Sequence, residues 1–312
     1  MRFISNPIII GLDHGYANIK TAHFVFPAGV VEYTHAPYSL ANVLEYRDKY
    51  HVIGSGRQFL QRNKTMTDSY YHMTLAAIAK ELEYRNASPD SAVILAAGLP
   101  LTEYGRDREK FAQYLLRDNE PVDFRYAGNA YHITIQAVKL FPQGYAAVLT
   151  QPELLEEPSV IVADIGGWTV DLMQLDNRMP NAATCRSLEY GMLRCLDEIA
   201  EQIRRTMGVS MSDTQIEAVL RSEATGVNDK AREIIHAIAE QYVLQLLSAI
   251  RQSGLDYGAM PTVFLGGGAS LLKRHVPQRV ALCRPFILDD VSLNAKGYER
   301  LCAGMSGESG NG

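Results

Sequence analysis

The chain is 312 residues long, enough for two domains or one large one with ample cores. A hydrophobic share of 47% beside 21% charged residues excludes a disordered chain, and no apolar run approaches the ~18 residues that a membrane-crossing helix needs. The formal net charge of -5, with no Lys/Arg run longer than Arg204-Arg205 or Lys273-Arg274, argues against a large nucleic-acid surface.

Met1-Arg2 leads directly toward a strand with no cleavable signal, so a cytoplasmic location is expected. Cys185, Cys195, Cys283 and Cys302 lie far apart without a CxxC and read as reduced, partly buried thiols rather than zinc ligands or a disulfide framework. The eight histidines form no HxH or HxxxH pair, and only His14, inside the first loop, stands out.

The first element covers residues 8–20, IIIGLDHGYANIK: an isoleucine-rich strand, Asp13, a turn at Gly15, the polar Asn18 and a return strand carrying Lys20. Glycine takes so tight a turn cheaply and lets another group approach the backbone. An ammonium just past the turn has the reach to meet a β- or γ-phosphate. Strands at 21–26 and 30–33 follow around Pro27-Ala28-Gly29. Residues 34–72 are polar and irregular, with a short strand at 51–53, and read as a small appended subdomain; Gly54-Ser55-Gly56 has no following helix and lysine and reads as a plain turn. Leu75, Ile78, Ala79 and Leu82 recur at helical spacing and predict a core-facing helix over 71–84.

An apolar strand at 92–97 delivers Gly98-Leu99-Pro100 to its carboxyl end, where open α/β sheets hold ligands. A helix at 105–117 with Phe111 and Leu115 inward, a strand at 124–126, a turn at Gly128-Asn129 and an alternating strand at 131–138 come next. Residues 136–145 lead to a short helix at 146–150, and the acidic, proline-flanked 151–158 marks the crossing into the second half.

That half opens with residues 160–172, VIVADIGGWTVDL: a buried-type strand, Asp164, a Gly166-Gly167 turn and a return strand carrying Asp171. Alone, this is equally an ordinary hairpin whose Asp caps the turn. Repeated half a chain apart, two such units imply two similar half-domains, each offering a phosphate loop to a shared cleft where facing carboxylates hold magnesium through its waters. Leu193, Leu196, Ile199, Ala200 and Ile203 then predict a helix, and Ser212 with Gln215 gives a capping-box signal before Ile216, Val219 and Leu220. The clearest helix is 228–252, with Ile234, Ile235, Ile238, Tyr242, Val243, Leu246 and Ile250 on one face. A strand at 262–265 ends in Gly266-Gly267-Gly268 and a helix start, where a nucleotide can lie against bare backbone.

Four segments in order, IGLDHGYANIK, LFPQGYAAVL, VADIGGWTVDL and FLGGGASLL, resemble the phosphate, connecting and adenosine motifs of the actin, Hsp70 and sugar-kinase superfamily. Within it, the DxGxxNxK first loop, GLPLTEY at 98–104, the proline-bearing connecting segment and the length resemble the ParM/StbA plasmid-segregation actins. The resemblance covers nearly the whole chain and is weakest over 34–72 and 105–130. It implies an α/β fold of two actin-like, ribonuclease H-like domains with mixed sheets and flanking helices, and a nucleotide in the interdomain cleft. Domain I would span 1–150 with its subdomain at 34–72, domain II 151–290, and 291–312 would return to domain I.

Carried over by residue, the resemblance makes Asp13 and Asp164 the carboxylates that organise Mg2+ and its waters, with Asp164 also catalytic, and Lys20 the phosphate contact. Gly15, Asn18, Gly166, Gly167 and Thr169 would line the β- and γ-phosphates, and Gly191 with Gly266, Gly267 and Gly268 would bracket ribose and base. ParM-like proteins orient the attacking water with a glutamate after the connecting-segment proline; here that residue is Gln143, whose amide can position water but cannot take its proton. Gln136, in IQAV, resembles the actin branch's glutamine and is the rival. Tyr16 and Trp168 stand in the two loops where small hydroxyl residues are expected, and their rings read as packing over the wall of the site rather than stacking on a base. The implied function is an ATP- or GTP-hydrolysing filament that segregates plasmid DNA, partnered by its own copies and by a small DNA-binding adaptor on a plasmid centromere. A small-molecule kinase on the same fold is the alternative, although no catalytic Asp base or substrate-specific insertion is evident. A peptide-clamping chaperone would need a long further domain.

Overall fold

Three consecutive isoleucines open the first strand, β1 (Ile8–His14), whose last five residues are all buried; β-branched chains suit so enclosed a pleat. The computed structural model describes residues 6–56, 64–223 and 226–308, so the first five residues, expected to lead into β1, lie outside it. The chain divides into two units, residues 1–151 with 292–312 and residues 152–291.

In the first unit β1 is flanked by β2 (Asn18–Thr21), antiparallel, and β7 (Asp90–Leu99), parallel. The remaining strands are β3 (Val25–Pro27), β4 (Val30–Tyr33), β5 (Val43–Tyr46), β6 (Lys49–Ile53), β8 (Val122–Tyr126) and β9 (Asn129–Pro142). All nine form one mixed sheet in the order β3-β2-β1-β7-β9-β8-β5-β6-β4. Residues 34–72, expected as a small appended subdomain with a short strand at 51–53, supply β5 and β6, and β5 joins this sheet where Leu44 pairs with Tyr126 and Glu45 with Arg125. The strand read at 51–53 is the end of β6, while the four residues of β5 are too short a run to show a pattern.

Helix α1 (Ser69–Tyr84) is buried along most of its faces, from Tyr70 to Leu82, as a helix apolar nearly all round must be. Its Arg85 cap bonds the Ile9 carbonyl at 2.9 Å and the Glu299 carboxylate at 3.0 Å. Helix α2 (Leu101–Leu116) buries only Phe111 and Leu115, as its spacing predicts. A short α3 (Tyr145–Val148) follows β9, and α8 (Leu293–Glu308) brings the chain's end back onto β1. Three glycines permit that approach. A Cβ on Gly11 would sit 2.0 Å from the Ala295 carbonyl oxygen, one on Gly98 2.0 Å from the Tyr298 hydroxyl, and one on Gly297 2.3 Å from the Ala146 carbonyl oxygen.

The second unit has β10 (Ser159–Ile165), β11 (Val170–Asp176), β12 (Met179–Leu188), β13 (Thr262–Leu265) and β14 (Pro285–Ile287), ordered β12-β11-β10-β13-β14. Its pairings, antiparallel through β12, β11 and β10 and then parallel to β13 and β14, repeat those of β3-β2-β1-β7-β9. The duplication inferred from two hairpins therefore extends to two five-strand patterns. Helices α4 (Met192–Met207), α5 (Asp213–Leu220), α6 (Asp229–Gln252) and α7 (Ala269–His275) accompany them. The capping box at α5 closes in both directions, Gln215 N to Ser212 Oγ at 3.3 Å and Ser212 N to Gln215 Oε1 at 3.0 Å. On α6 the expected face is turned slightly: Ile234 and Ile238 are only half-buried, while Ala231, Ala239 and Leu247 are enclosed. At Ala231 and Ala239 the small side chain admits a neighbouring element more closely.

The two kinds of glycine predict opposite outcomes. Gly11→Ala must displace the α8 backbone and should cost about 1–3 kcal/mol. Gly105, exposed within α2 with nothing within 4 Å of its Cβ position, should gain about 0.5–1 kcal/mol on replacement by Ala. Thermal denaturation of both variants checks this, and equal shifts would remove the packing role given to Gly11.

Candidate functional site

The hairpin of β1 and β2 sets the first group. Its register places Lys20 directly opposite Asp13, and residues opposite one another in an antiparallel pair share a face. The Lys20 ammonium reaches Asp13 Oδ2 at 3.0 Å, both side chains being buried. A Cβ on Gly15 would lie 2.5 Å from the Asn18 carbonyl oxygen, so the turn demands glycine there. The third member arrives from β9. The parallel registers set Leu12 level with Ala97, and Ala97 level with Leu140, so the end of β9 lies at the same sheet edge as Asp13. There Gln143 Nε2 donates to Asp13 Oδ1 at 2.8 Å. The backbone around it is fixed by Gln143 N to the Leu99 carbonyl at 2.9 Å and Gly144 N to Asn294 Oδ1 at 2.9 Å.

Burial alone would raise the pKa of Asp13. The Lys20 charge and hydrogen bond, the Lys64 charge and the Gln143 amide outweigh that effect and hold its carboxyl below the usual value. Lys64 is a member that sequence spacing did not reveal. It is buried, and its ammonium lies 4.9 Å from the centre of the Tyr16 ring and 5.9 Å from that of Tyr70. The Tyr16 ring thus packs under a cation. His14 is completely enclosed, and burial with the Lys64 charge lowers its pKa to about 3 despite the nearby Asp13. Thr74 Oγ1 donates to the Tyr70 carbonyl at 2.8 Å, so at the 2.9 Å contact between Thr74 Oγ1 and His14 Nε2 the imidazole N–H is the donor.

Gln136 does not join this group. It is the exposed extra residue in β9 where the pairing with β7 shifts between Val93 and Ile94, level with Ile8 and Ile9 at the opposite end of the sheet. Six residues of extended chain separate it from Pro142, about 20 Å. Its local likeness to the actin-branch glutamine carried no information about how far the strand continues, and its candidacy as the water-positioning residue is withdrawn.

In the second unit Asp164, also buried, is the penultimate residue of β10, with Asp171 directly opposite on β11. The Thr169 hydroxyl donates to Asp171 Oδ2 at 3.1 Å, so it contributes to the loop's own bonding. The turn is braced by the start of α4: the amides of Gly191, Met192 and Leu193 donate to the carbonyls of Trp168, Gly166 and Gly167 at 2.8, 3.0 and 2.8 Å. A Cβ on Gly191 would lie 2.3 Å from the Gly167 carbonyl oxygen. The Tyr242 hydroxyl donates to the Tyr190 carbonyl and anchors this junction to α6. Of the three glycines after β13, Gly266 has φ +86° and would place a Cβ 2.4 Å from Asp164 Oδ1, while a Cβ on Gly268 would lie 2.2 Å from Ile165 Cγ2. Both are required by packing against the Asp164 loop. Gly267, with nothing within 4 Å of its Cβ position, is the one open to an incoming group. Trp168 is half-buried.

Among the described residues no three His, Cys, Asp or Glu side chains are grouped to hold a metal ion. Both Asp13 oxygens accept hydrogen bonds, yet each carboxylate oxygen retains acceptor capacity toward metal-bound water. The donors fit outer-sphere magnesium, which takes one or two carboxylates beside phosphates and waters.

This duplicated α/β architecture, with an acidic hairpin turn at the sheet edge of each unit, is the fold of the actin homologues. Residues 11–145 match the N-terminal domain of the actin-like proteins, and residues 162–278 the C-terminal domain of archaeal MreB-like actin homologues. The chain belongs to the actin-like proteins. No curated protein sequence matches it. An archaeal actin homologue solved in complex with ADP is similar over 95% of this chain and 99% of its own, with 17% identity and a TM-score of 0.73. The ParM of a 15-stranded filament from Clostridium botulinum is similar over 96% and 100%, with 16% identity and a TM-score of 0.75. Bacillus thuringiensis ParM with ATP follows at 97% and 100%, 13% and 0.70.

The pKa of His14 yields a pH test. The neutral ring is favoured in the folded state, so the folded chain binds fewer protons than the unfolded one between about pH 3 and the ordinary histidine value of 6.5. Its contribution is complete above 6.5 and declines as the pH falls through that window. Urea unfolding between pH 7 and pH 4 should therefore show a shallower loss of stability for His14→Asn than for the wild type. Parallel slopes would contradict the enclosed neutral imidazole.

Proposed function

We propose that this chain is a nucleoside triphosphatase, acting on ATP or GTP, whose nucleotide state governs its assembly into a filament that moves plasmid DNA. The observation that carries the reading is the convergence of Asp13 and Lys20 of the first hairpin with Gln143, which follows β9, at the same end of the sheet. A water-orienting amide tied to a buried carboxylate, beside a lysine, is the donor set that phosphoryl transfer to water requires, since that reaction is catalysed by positioning and charge. Magnesium supplies neutralisation of the phosphate charge when bound, and Asp13 and Asp164 would hold it through its waters. Gln143 donates Nε2 to Asp13, which leaves Oε1 as the acceptor that aims a water; because an amide takes no proton, turnover should be slow.

Filament assembly is supported by the printed character of the similar structures, among them the Clostridium botulinum ParM filament and an Alp12 filament, and nucleotide binding by the ADP and ATP complexes. A head-to-tail contact that does not close would extend as a helical polymer. Plasmid attachment would pass through a small DNA-binding adaptor, in keeping with the acidic net charge of -5. Among the described residues no helix is long and apolar enough to cross a membrane, and the proposed location is the cytoplasm. The kinase alternative finds no support in the similar structures, which are actin homologues and ParM proteins.

Light scattering and pelleting after addition of ATP or GTP with magnesium test the reading. Scattering should rise and then decay as phosphate is released, with filaments visible by electron microscopy; a flat signal with both nucleotides would refute assembly. Asp164→Ala should abolish magnesium-dependent phosphate release. Gln143→Ala should keep nucleotide binding while slowing release on the order of a hundredfold, and an unchanged rate would remove Gln143 from the water-positioning role.

A further inference from the structure

The Gln143 side chain is aimed at Asp13, and three backbone bonds fix the chain on either side of it. Its own N–H donates to the Leu99 carbonyl at 2.9 Å, its carbonyl accepts from the Tyr145 N–H at 2.8 Å, and the Gly144 N–H donates to Asn294 Oδ1 at 2.9 Å. Gly144, between Gln143 and Tyr145, has φ +71° and ψ -51°. This is the γ-turn of positive φ, a rare and strained conformation that glycine tolerates best. Such a turn bonds only the residues flanking its centre, so the central N–H must find its partner elsewhere. Here that partner comes from α8, 150 residues further along the chain. Asn294 is 3% exposed, and because a backbone N–H can only donate, it is the amide oxygen that faces it.

The same turn of α8 also bears on the strand that carries Asp13. The Ala295 carbonyl lies against Gly11 of β1, and Gly297 lies against the Ala146 backbone of α3. Residues 294, 295 and 297 therefore brace β1 and the chain that follows Gln143 together. We propose that Asn294 is a positioning residue for nucleotide hydrolysis: by bonding the Gly144 N–H it holds the strained turn after Gln143, and so keeps the Gln143 amide where its oxygen aims a water. It acts through Gln143 rather than on the substrate. This rests on the water-positioning reading of Gln143 above and adds to it the residue that sets the backbone of Gln143.

The test measures nucleotide affinity and single-turnover phosphate release with magnesium and ATP, and with GTP in parallel, in wild type, Asn294→Leu, Asn294→Asp, Gln143→Ala and the double variant Gln143→Ala/Asn294→Leu. Asn294→Leu keeps a branched side chain and removes the acceptor. It should slow release on the order of tenfold while leaving nucleotide affinity within about twofold. Asn294→Asp keeps an acceptor, and its charge is favourable in the first turn of a helix, so it should recover most of the rate. With Gln143 already replaced by Ala, Asn294→Leu should slow release no further, because residues that act as a unit are not additive. Release at the wild-type rate in Asn294→Leu, an aspartate variant as slow as the leucine one, or a double variant slower than Gln143→Ala overturns the proposal. So does a loss of affinity in step with rate, which marks a merely structural asparagine. If Asn294→Leu loses its cooperative melt, Asn294→Ala against Asn294→Asp decides: the alanine variant must be the slower, and equal rates overturn the proposal. Wild type that releases phosphate from neither ATP nor GTP, or Gln143→Ala as fast as wild type, would refute the reading underneath, an outcome distinct from failure of Asn294 alone.

Discussion

The buried charge of Asp13 is the constraint around which the first unit is arranged. Taking a carboxylate out of water costs several kcal/mol unless charges and hydrogen bonds replace the lost hydration. Its replacements come from three separate places: Lys20 across the hairpin, Lys64 ahead of α1 and Gln143 beyond β9. Each requires a different part of the fold to be correct, the hairpin register, the placement of α1 and the parallel alignment of β1, β7 and β9. Misplacing any one leaves a buried charge poorly compensated, so the site and the sheet specify one another.

The second unit uses the same hairpin with a different charge arrangement. Asp164 faces Asp171 where Asp13 faces Lys20, and the turn between is held by amides of α4 and by glycines fitted against it. The first loop is therefore stiffened by charge compensation and the second by backbone bonding and close packing. Duplication of topology thus preserved the scaffold while the chemistry of the two turns diverged, in line with function residing in sites placed on a fold.

What the sequence made legible follows from how local each signal is. The hairpins were readable because β-branched runs, an Asp and a glycine turn lie within thirteen consecutive residues, and the capping box at Ser212 because it spans four. Gln143 was readable only through resemblance, since its partner Asp13 is 130 residues away. Lys64 gave no signal at all: one lysine in a polar stretch acquires meaning only when folding places it over Tyr16 and Tyr70. Gln136 misled because a four-residue match says nothing of strand length, and β9 runs on to Pro142. Strand β5 was obscured because it is only four residues long within a polar stretch, although its Val43 and Leu44 are buried.

With each acidic turn proposed as a phosphate loop, the backbone of each must become protected when nucleotide binds. Hydrogen-exchange mass spectrometry with and without ATP and magnesium, GTP replacing ATP in a parallel run, measures this directly. Slowed exchange is predicted in the peptides that contain residues 13–20 and in those that contain residues 164–170, and little change in β12 of the second unit. Saturating nucleotide that left either turn exchanging at its original rate would contradict the account.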